Sequence, residues 1–111
     1  MIFTKSLKKN YQFRFVYNKG KSIANKYLVM YVVKNNSLEN YLGISVSKKV
    51  GNSVVRSRVT RLIRENYRLS EHKLKKGYSI IFIARNTASL ASYKDINKAM
   101  NHLFSKHNMF S

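Results

Sequence analysis

Two predominantly apolar stretches, Tyr27–Val33 and Tyr78–Ala84, dominate the hydrophobic pattern of the chain. Both are rich in β-branched and aromatic residues and too short to cross a bilayer as helices, so we expect buried strands. The segment Asn40–Lys48 has a similar composition, and the turn-rich residues 34–40 connect it to the first run. This spacing predicts that strands 26–34 and 40–48 form an antiparallel pair.

A first helix is predicted ahead of these strands. Asn10 is placed to cap a helix over residues 11–18, which Gly20 helps to terminate. Residues 22–25 are expected to form a further short strand.

Two more helices are predicted in the second half of the chain. The longer one has Asn52 or Ser53 as its cap and ends near Leu69. The last one begins at Ser92, which is spaced from Asp95 as in a capping box, and reaches about residue 107. The predicted order is therefore helix, two or three strands, helix, strand, helix.

On a helical wheel, the longest predicted helix divides into an apolar and a cationic arc. The apolar arc, expected to face the sheet, consists of Val55, Val59, Leu62, Ile63 and Leu69. The cationic arc consists of Arg58, Arg61, Arg64 and Arg68. Arg56 is predicted to lie alone on the opposite flank, near Thr60. A merely solvated face should mix its charges, but the only acid here is Glu65, which is placed to meet Arg61 or Arg68.

Net charge sharpens the interpretation of this helix. Residues 1–111, which show no repeat or linker and are predicted to form one domain, carry 22 Lys and Arg against four acids, a net +18. A polyanion such as RNA or DNA would relieve the resulting self-repulsion, whereas no helix has the features of a membrane-surface helix. Five of the seven arginines lie within residues 51–68, and guanidinium groups bind phosphate through two parallel hydrogen bonds. We therefore predict phosphate contacts here, with Lys48 and Lys49 adding charge before the helix start.

Residues for catalysis are sparse. The four acids, Glu39, Glu65, Glu71 and Asp95, are far apart in the sequence, whereas a two-metal nuclease needs converging carboxylates. The three histidines, His72, His102 and His107, lack metal-ligand spacing and are expected to be surface residues. Cysteine is absent, which fits a reducing, cytoplasmic setting, and the N-terminal residues lack the apolar run of a secretory signal. The chain is expected to bind rather than to catalyse.

Aromatic residues suggest a second binding surface. Phe13 and Tyr17 are four residues apart and share a helical face, and Tyr31 lies in the middle of a predicted strand. Most aromatic residues at this spacing belong to a core, and Phe13 alone would be assigned there. The tyrosines tolerate a wet surface, however, and aromatic side chains beside lysines also form stacking platforms for single-stranded RNA.

The sequence "ISVSKKVGNSVVRSRVTRLIRE" (residues 44–65) resembles the most specific segment of the bacterial ribonuclease P protein family. The opening from Leu7 to Asn25, the strand "IFIAR" ending at Arg85 and "HLF" in the last helix also fit this family. The resemblance implies an α+β fold, a single-domain αβββαβα two-layer sandwich with one mainly antiparallel sheet and a left-handed βαβ crossover. It also implies that an RNA subunit removes the 5′ leader of precursor tRNA, using Mg²⁺ held mainly by that RNA and the substrate.

Specific residues follow from the resemblance together with the charge pattern. The residues expected to bind the catalytic RNA are Lys48, Lys49, Asn52, Arg56, Ser57, Arg58, Arg61, Arg64 and Arg68. The residues expected to bind the 5′ leader are Phe13, Tyr17, Tyr31 and Ser45. Ser57 replaces the central asparagine of the family motif and Thr60 stands where a basic residue is common, so contacts at these two positions are in question. No catalytic residue or metal site is expected in the protein.

Two other function classes remain open at this stage. A basic ribosomal or RNA-scaffold protein would share the size and charge, although such proteins usually carry a basic tail without an apolar pattern. A stand-alone nuclease is a weaker alternative. The expected partners are ribonuclease P RNA and precursor tRNA in the cytoplasm, without DNA or a membrane.

Overall fold

The computed structural model describes residues 1–111 and has five strands and three α-helices. In chain order they are β1 (Thr4–Ser6), α1 (Asn10–Lys19), β2 (Lys21–Ala24), β3 (Leu28–Lys34), β4 (Asn40–Ser45), α2 (Ser53–Ser70), β5 (Tyr78–Ala84) and α3 (Tyr93–Lys106). The α+β class is confirmed, and the order from α1 onward is the expected αβββαβα. No helix of the protein is both long and apolar enough to cross a membrane.

The five strands form one mixed sheet in the order β1-β4-β5-β3-β2. β5 pairs antiparallel with β3 and parallel with β4, while β2 is antiparallel to β3 and β1 parallel to β4. The sheet thus has two pairs of each kind. The unit β4–α2–β5 joins two neighbouring parallel strands through a helix. It is the βαβ unit for which the family resemblance implies a left-handed crossover.

The predicted pairing of β3 with β4 is wrong, because β5 lies between them. Ile80 and Phe82 of β5 point into the larger core and Ile81 into the smaller one on the other face, and all three are fully buried. A strand that is apolar on both faces is best buried at the centre of the sheet. The β3–β4 connection packs against Gly77, where a Cβ would lie only 2.6 Å from the Ser37 carbonyl oxygen and where the positive φ of 91° also favours glycine.

Helices cover the two faces of the sheet unequally. α2 and α3 pack on one face around a cluster of 20 buried residues that includes Val59, Ile63 and Phe104. On the other face only α1 is present, and the cluster has three buried residues, Leu7, Val16 and Ile81. The sheet is therefore left accessible on both sides of α1.

The N-terminus of α1 differs from the prediction. Asn10 is the first helical residue and Lys9 occupies the cap position with an extended backbone. Gln12 closes this end instead, since its Oε1 accepts the N–H groups of Lys8 and Lys9 at 3.1 and 3.0 Å. The predicted stop is confirmed, because the Gly20 N–H donates to a carbonyl in the last turn.

The other two caps are confirmed. Asn52 Oδ1 accepts the Val55 N–H at 3.0 Å and starts α2. Ser92 and Asp95 form a reciprocal capping box at the start of α3, with distances of 3.1 and 3.0 Å.

The C-terminal half of α2 corrects the predicted apolar arc. Val59 and Ile63 are fully buried as expected, but Leu69 is 48% exposed. Tyr67, and not Leu69, is the buried hydrophobic residue in the last turn of α2. Its ring packs edge-on against Phe104, with the ring centroids 6.3 Å apart, and its hydroxyl lies 2.9 Å from Thr4 Oγ1. The β1 hydroxyl thus satisfies the polar end of a buried tyrosine, which a wheel of α2 alone does not reveal.

Strand β1 was not predicted, because three residues carry no usable periodicity. It is held by a distant carboxylate, since Glu71 accepts the N–H groups of Ile2 at 2.7 Å and Phe3 at 3.1 Å. Burial alone would raise the pKa of Glu71, but the hydrogen bonds to this carboxylate and the positive N-terminus outweigh it and hold the pKa below its ordinary value. The charged carboxylate thus fixes β1 at the sheet edge.

Candidate nucleic-acid interface

One flank of α2 forms a cationic depression, named here the arginine surface. It consists of Arg56, Ser57, Thr60, Arg61 and Arg64. Ile44 and Val46, from β4 and the residue after it, form the opposite wall, and the depression encloses about 560 Å³. Three guanidinium groups therefore converge on an open surface that no carboxylate lines.

Arg56 belongs to this surface, so its predicted isolation is wrong. Residues 56, 60 and 64 are each four apart and stack on one helical face. The Thr60 hydroxyl donates back to the Arg56 carbonyl at 2.9 Å, which places a short neutral side chain between two arginines. Arg56 Nε is buried without a hydrogen-bond partner, and a bound phosphate would supply one.

Arg58 lies apart from the arginine surface, in contrast to the predicted arc. Its Nη2 donates to the Ala91 carbonyl oxygen at 2.5 Å and ties α2 to the segment before α3. Its wheel position, two residues from Arg56, turns it toward α3. Its first role in the fold is therefore structural.

Arg68 is held by an ion pair on the exposed surface. Its Nη2 lies 2.6 Å from Glu65 Oε1, which confirms one of the two partners predicted for Glu65. The hydrogen bond from Arg68 is the first cause that holds the Glu65 pKa below its ordinary value. Arg68 is thus the arginine of the predicted arc whose charge is locally offset.

Lys48 and Lys49 are exposed in the turn before α2, which Val50 anchors in the core. They add two mobile charges near the positive end of the α2 dipole. The side-chain oxygen of Asn52 accepts the hydrogen bond of the helix cap. Its predicted contact with RNA would therefore use the amide NH₂ group.

The four residues predicted for the 5′ leader come together between α1 and the sheet, and are named here the aromatic cleft: Phe13, Tyr17, Tyr31 and Ser45. The Tyr17 ring lies 5.0 Å from the Tyr31 ring and 6.4 Å from the Phe13 ring. Burial is the main cause that raises the pKa of Tyr17, followed by Tyr31, while a hydrogen bond with Ser45 acts in the opposite direction. These rings form a partly open stacking surface.

Gly43 shapes the aromatic cleft. A Cβ at this position would lie 2.6 Å from the Phe13 ring, so only glycine lets the ring lie directly on β4. The glycine thereby couples the position of α1 to the strand that also borders the arginine surface.

The arginine surface and the aromatic cleft meet around the edge of β4. β1 pairs only with Asn40–Leu42, which leaves the end of β4 as the sheet edge. Ile44 points toward the arginine surface, whereas Ser45 points toward the aromatic cleft. Arg64 reaches both, since it also lines a small cavity with Phe13 and Gly43. The sequence gives no signal for this bridging position, because it depends on where β1 ends.

The four carboxylates all have structural partners. Glu39 lies 3.4 Å from Lys5 Nζ, Glu65 pairs with Arg68, Glu71 binds the N-terminal backbone and Asp95 caps α3. No three His, Cys, Asp or Glu residues are grouped so that they could hold a metal ion. Each of the four carboxylates thus serves a contact within the folded chain.

Comparison with known proteins gives consistent matches over almost the whole chain. The family model described as Ribonuclease P matches residues 2–108. The chain is 54% identical to the ribonuclease P protein component of Alkaliphilus metalliredigens, covering 95% of each protein. It matches the structure of the Staphylococcus aureus RNase P protein with a TM-score of 0.88 and 36% identity, covering 96% of this chain and 97% of that one. For the RNase P protein from Thermotoga maritima the TM-score is 0.83 at 26% identity, with 92% and 96% covered.

Proposed function

This chain belongs to the ribonuclease P protein family, and from that membership we propose how it acts as the protein subunit of the enzyme in 5′ maturation of tRNA. The arginine surface binds the catalytic RNA subunit, and the aromatic cleft binds the single-stranded 5′ leader of precursor tRNA. The observation that carries this assignment is the meeting of the two surfaces around the edge of β4.

The arginine surface suits folded RNA. Arg56, Arg61 and Arg64 present forked donors that bind phosphate oxygens in pairs, without requiring a base sequence. Counterion release from the RNA adds a favourable and salt-dependent free energy for each phosphate neutralised. Lys48 and Lys49 extend the positive electrostatic field of the arginine surface to the turn before α2.

The aromatic cleft suits an unpaired strand. Every base has a π-face that can stack on the Tyr17 or Tyr31 ring, so a leader of any sequence can be held. The Tyr31 hydroxyl can form hydrogen bonds to bases or sugars, and the hydroxyls of Tyr17 and Ser45 can do so with the capacity that their mutual hydrogen bond leaves. Because this cleft adjoins the arginine surface, a leader bound in it is held beside the catalytic RNA.

We assign the hydrolytic step to the RNA subunit. Mg²⁺ bound by RNA and substrate phosphates would supply the nucleophile and stabilise the leaving group, and the carboxylates of this chain are engaged elsewhere. The protein contributes by screening phosphate charge and by positioning the leader. Its proposed location is the cytoplasm, with precursor tRNA.

The test is cleavage of precursor tRNA by the cognate RNA subunit at low Mg²⁺, with and without this chain. We expect the chain to stimulate cleavage, and a rate unchanged by the protein would contradict the proposal. Cleavage by the protein without RNA would contradict the assignment of catalysis. A basic RNA-scaffold protein would bind RNA without stimulating cleavage, and family membership does not favour that alternative.

A further inference from the structure

A second groove runs along the other side of α1 from the aromatic cleft and is named here the Tyr11 groove. It encloses about 420 Å³, and its lining includes Tyr11, Gln12, Phe15, Lys34, Asn36 and Tyr41. It lies at the opposite end of β4 from Ser45, since Tyr41 is the second residue of β4 and Lys34 is the last residue of β3.

Two aromatic rings in the Tyr11 groove are largely exposed. Tyr11 is 61% exposed and Phe15 is 48% exposed, and neither is among the buried residues of the two hydrophobic clusters. They are four residues apart, so they project from the same side of α1. Large neighbouring apolar groups left in water point to a ligand that covers them.

Polar groups beside these rings are also free. Asn36 sits at the turn with a positive φ of 59°, and its carboxamide makes no hydrogen bond within the protein. Its neighbour Asn35 instead holds the turn together, through Ser37 and Glu39. Gln12 uses only its oxygen, at the start of α1, which leaves its NH₂ group free. Free amides next to exposed rings can read the hydrogen-bonding edge of a stacked base.

The charge around the Tyr11 groove selects the class of ligand. Lys34 lines it and Lys8 lies close by at the start of α1. Glu39, the acid nearest to this end of the sheet, is paired with Lys5 at 3.4 Å. A positive field beside aromatic rings favours single-stranded RNA over an apolar peptide.

We propose that the Tyr11 groove binds unpaired nucleobases of the 5′ leader, upstream of the nucleotides in the aromatic cleft. This inference rests on the proposed function of that cleft. The two grooves are separated by the width of α1, about 10 Å, so a strand that leaves one can reach the other across the helix. The Tyr11 groove lies farther from the arginine surface, and it therefore takes the part of the leader more distant from the catalytic RNA.

The test compares two precursor tRNAs in the reconstituted holoenzyme, one with a leader that fills only the aromatic cleft and one with a longer leader. The variant Tyr11→Ala/Phe15→Ala should weaken binding of the long-leader substrate by roughly five- to 150-fold for each stacked base lost. It should leave binding of the short-leader substrate unchanged. Tyr11→Phe/Phe15→Tyr keeps both rings and should bind like the unmodified protein, and Leu90→Ala removes an exposed apolar side chain elsewhere as a control.

Photo-crosslinking from single 4-thiouridines in the leader supplies a direct readout. Upstream positions should crosslink to the peptide that contains Tyr11, and the crosslink should disappear in the double alanine variant. Unchanged long-leader binding would overturn the inference, and so would equal losses for both leaders, which would assign the groove to the RNA subunit. In the same assay, Tyr17→Ala should weaken binding of leader-containing substrate more than binding of mature tRNA. If it does so while the Tyr11 groove variant has no effect, the proposed function stands and only the inference about the Tyr11 groove is overturned.

Discussion

The arginine surface and the aromatic cleft border the same strand but are constructed in different ways. All three arginines come from one helix within nine residues, and they repel one another until an anion binds. The cleft draws its four side chains from α1, β3 and β4, and its rings already contact each other in the free protein. We therefore expect charge to provide affinity at long range and packed rings to provide selectivity for an unpaired strand.

The two regions should also respond differently to damage. Charges act over about 10 Å at 0.1 M salt, so an arginine that shifts by one rotamer still contributes. Stacking acts only in contact, so the cleft depends on the placement of α1 against Gly43 and Tyr31. Loss of arginine charge, loss of a stacking ring and loosening of β1 beside the free end of β4 should therefore have distinguishable effects.

The largest effect is expected for Arg56→Gln/Arg61→Gln/Arg64→Gln. Three lost phosphate contacts should lower the slope of log affinity against log salt by about three units, and affinity for the RNA subunit by roughly a hundredfold or more at 0.1 M salt. The measurement is a binding titration with ribonuclease P RNA over a range of salt concentrations. Folding stability should be unchanged or higher, because three like charges are removed.

A matched variant tests whether position or total charge matters. Lys94→Gln/Lys98→Gln/Lys106→Gln removes three exposed charges from α3, away from the arginine surface. An equal loss of slope in both triple variants would mean that binding follows net charge alone, and the arginine surface would lose its distinct role. Arg58→Gln should chiefly lower stability, since it frees the buried Ala91 carbonyl.

How far the sequence determined the arginine surface can be judged from Arg56 and Arg58. The helix, its cap and the excess of arginine were predictable, because local periodicity and capping chemistry set them. Which arginines come together was not predictable. A helical wheel shows the direction in which each side chain points, but not the elements that pack beside it. Only β4 on one flank and the segment before α3 on the other decide which arginines converge.

The strands of the sheet were also easier to predict from the sequence than their order. Residues 78–84 were predicted as a buried strand from their apolar run, but their insertion between β3 and β4 is a long-range choice. Sequence adjacency favoured a hairpin, whereas burial of both faces of β5 required the central position. β1 escaped prediction because its stability comes from Glu71, almost 70 residues away. The aromatic cleft was assigned through family resemblance, since spacing alone could not separate Tyr17 from a core residue.

The second prediction concerns Tyr17→Ala, which removes the central ring of the aromatic cleft. Loss of one stacked base should weaken binding of leader-containing precursor tRNA by about 1–3 kcal/mol, with little change for mature tRNA. Binding of both RNAs to the holoenzyme is the measurement. Tyr17→Phe keeps the ring beside Tyr31 and should retain most of the affinity.

Equal losses for precursor and mature tRNA would show that Tyr17 supports the fold instead of the leader. The salt slope offers an independent check on the comparison. It should stay unchanged in Tyr17→Ala, because a tyrosine neutralises no phosphate. A lower slope would mean that the two surfaces are not separable.

The smallest effect is expected for Glu71→Gln, which should loosen β1 next to the free end of β4, where the two surfaces meet. The Glu71 pKa is lowered in the folded protein, so its stabilisation is complete above the ordinary glutamate pKa and is lost as pH falls through the folded value. We expect the variant to be about 1 kcal/mol less stable at neutral pH and to approach the unmodified protein in acid, as measured by urea unfolding.

Asp95→Asn should also lose acid-dependent stability, yet only Glu71→Gln should speed hydrogen exchange in β1. A stability difference that is constant with pH would contradict the role of the charged carboxylate, and an altered salt slope would show that the arginine surface depends on this edge.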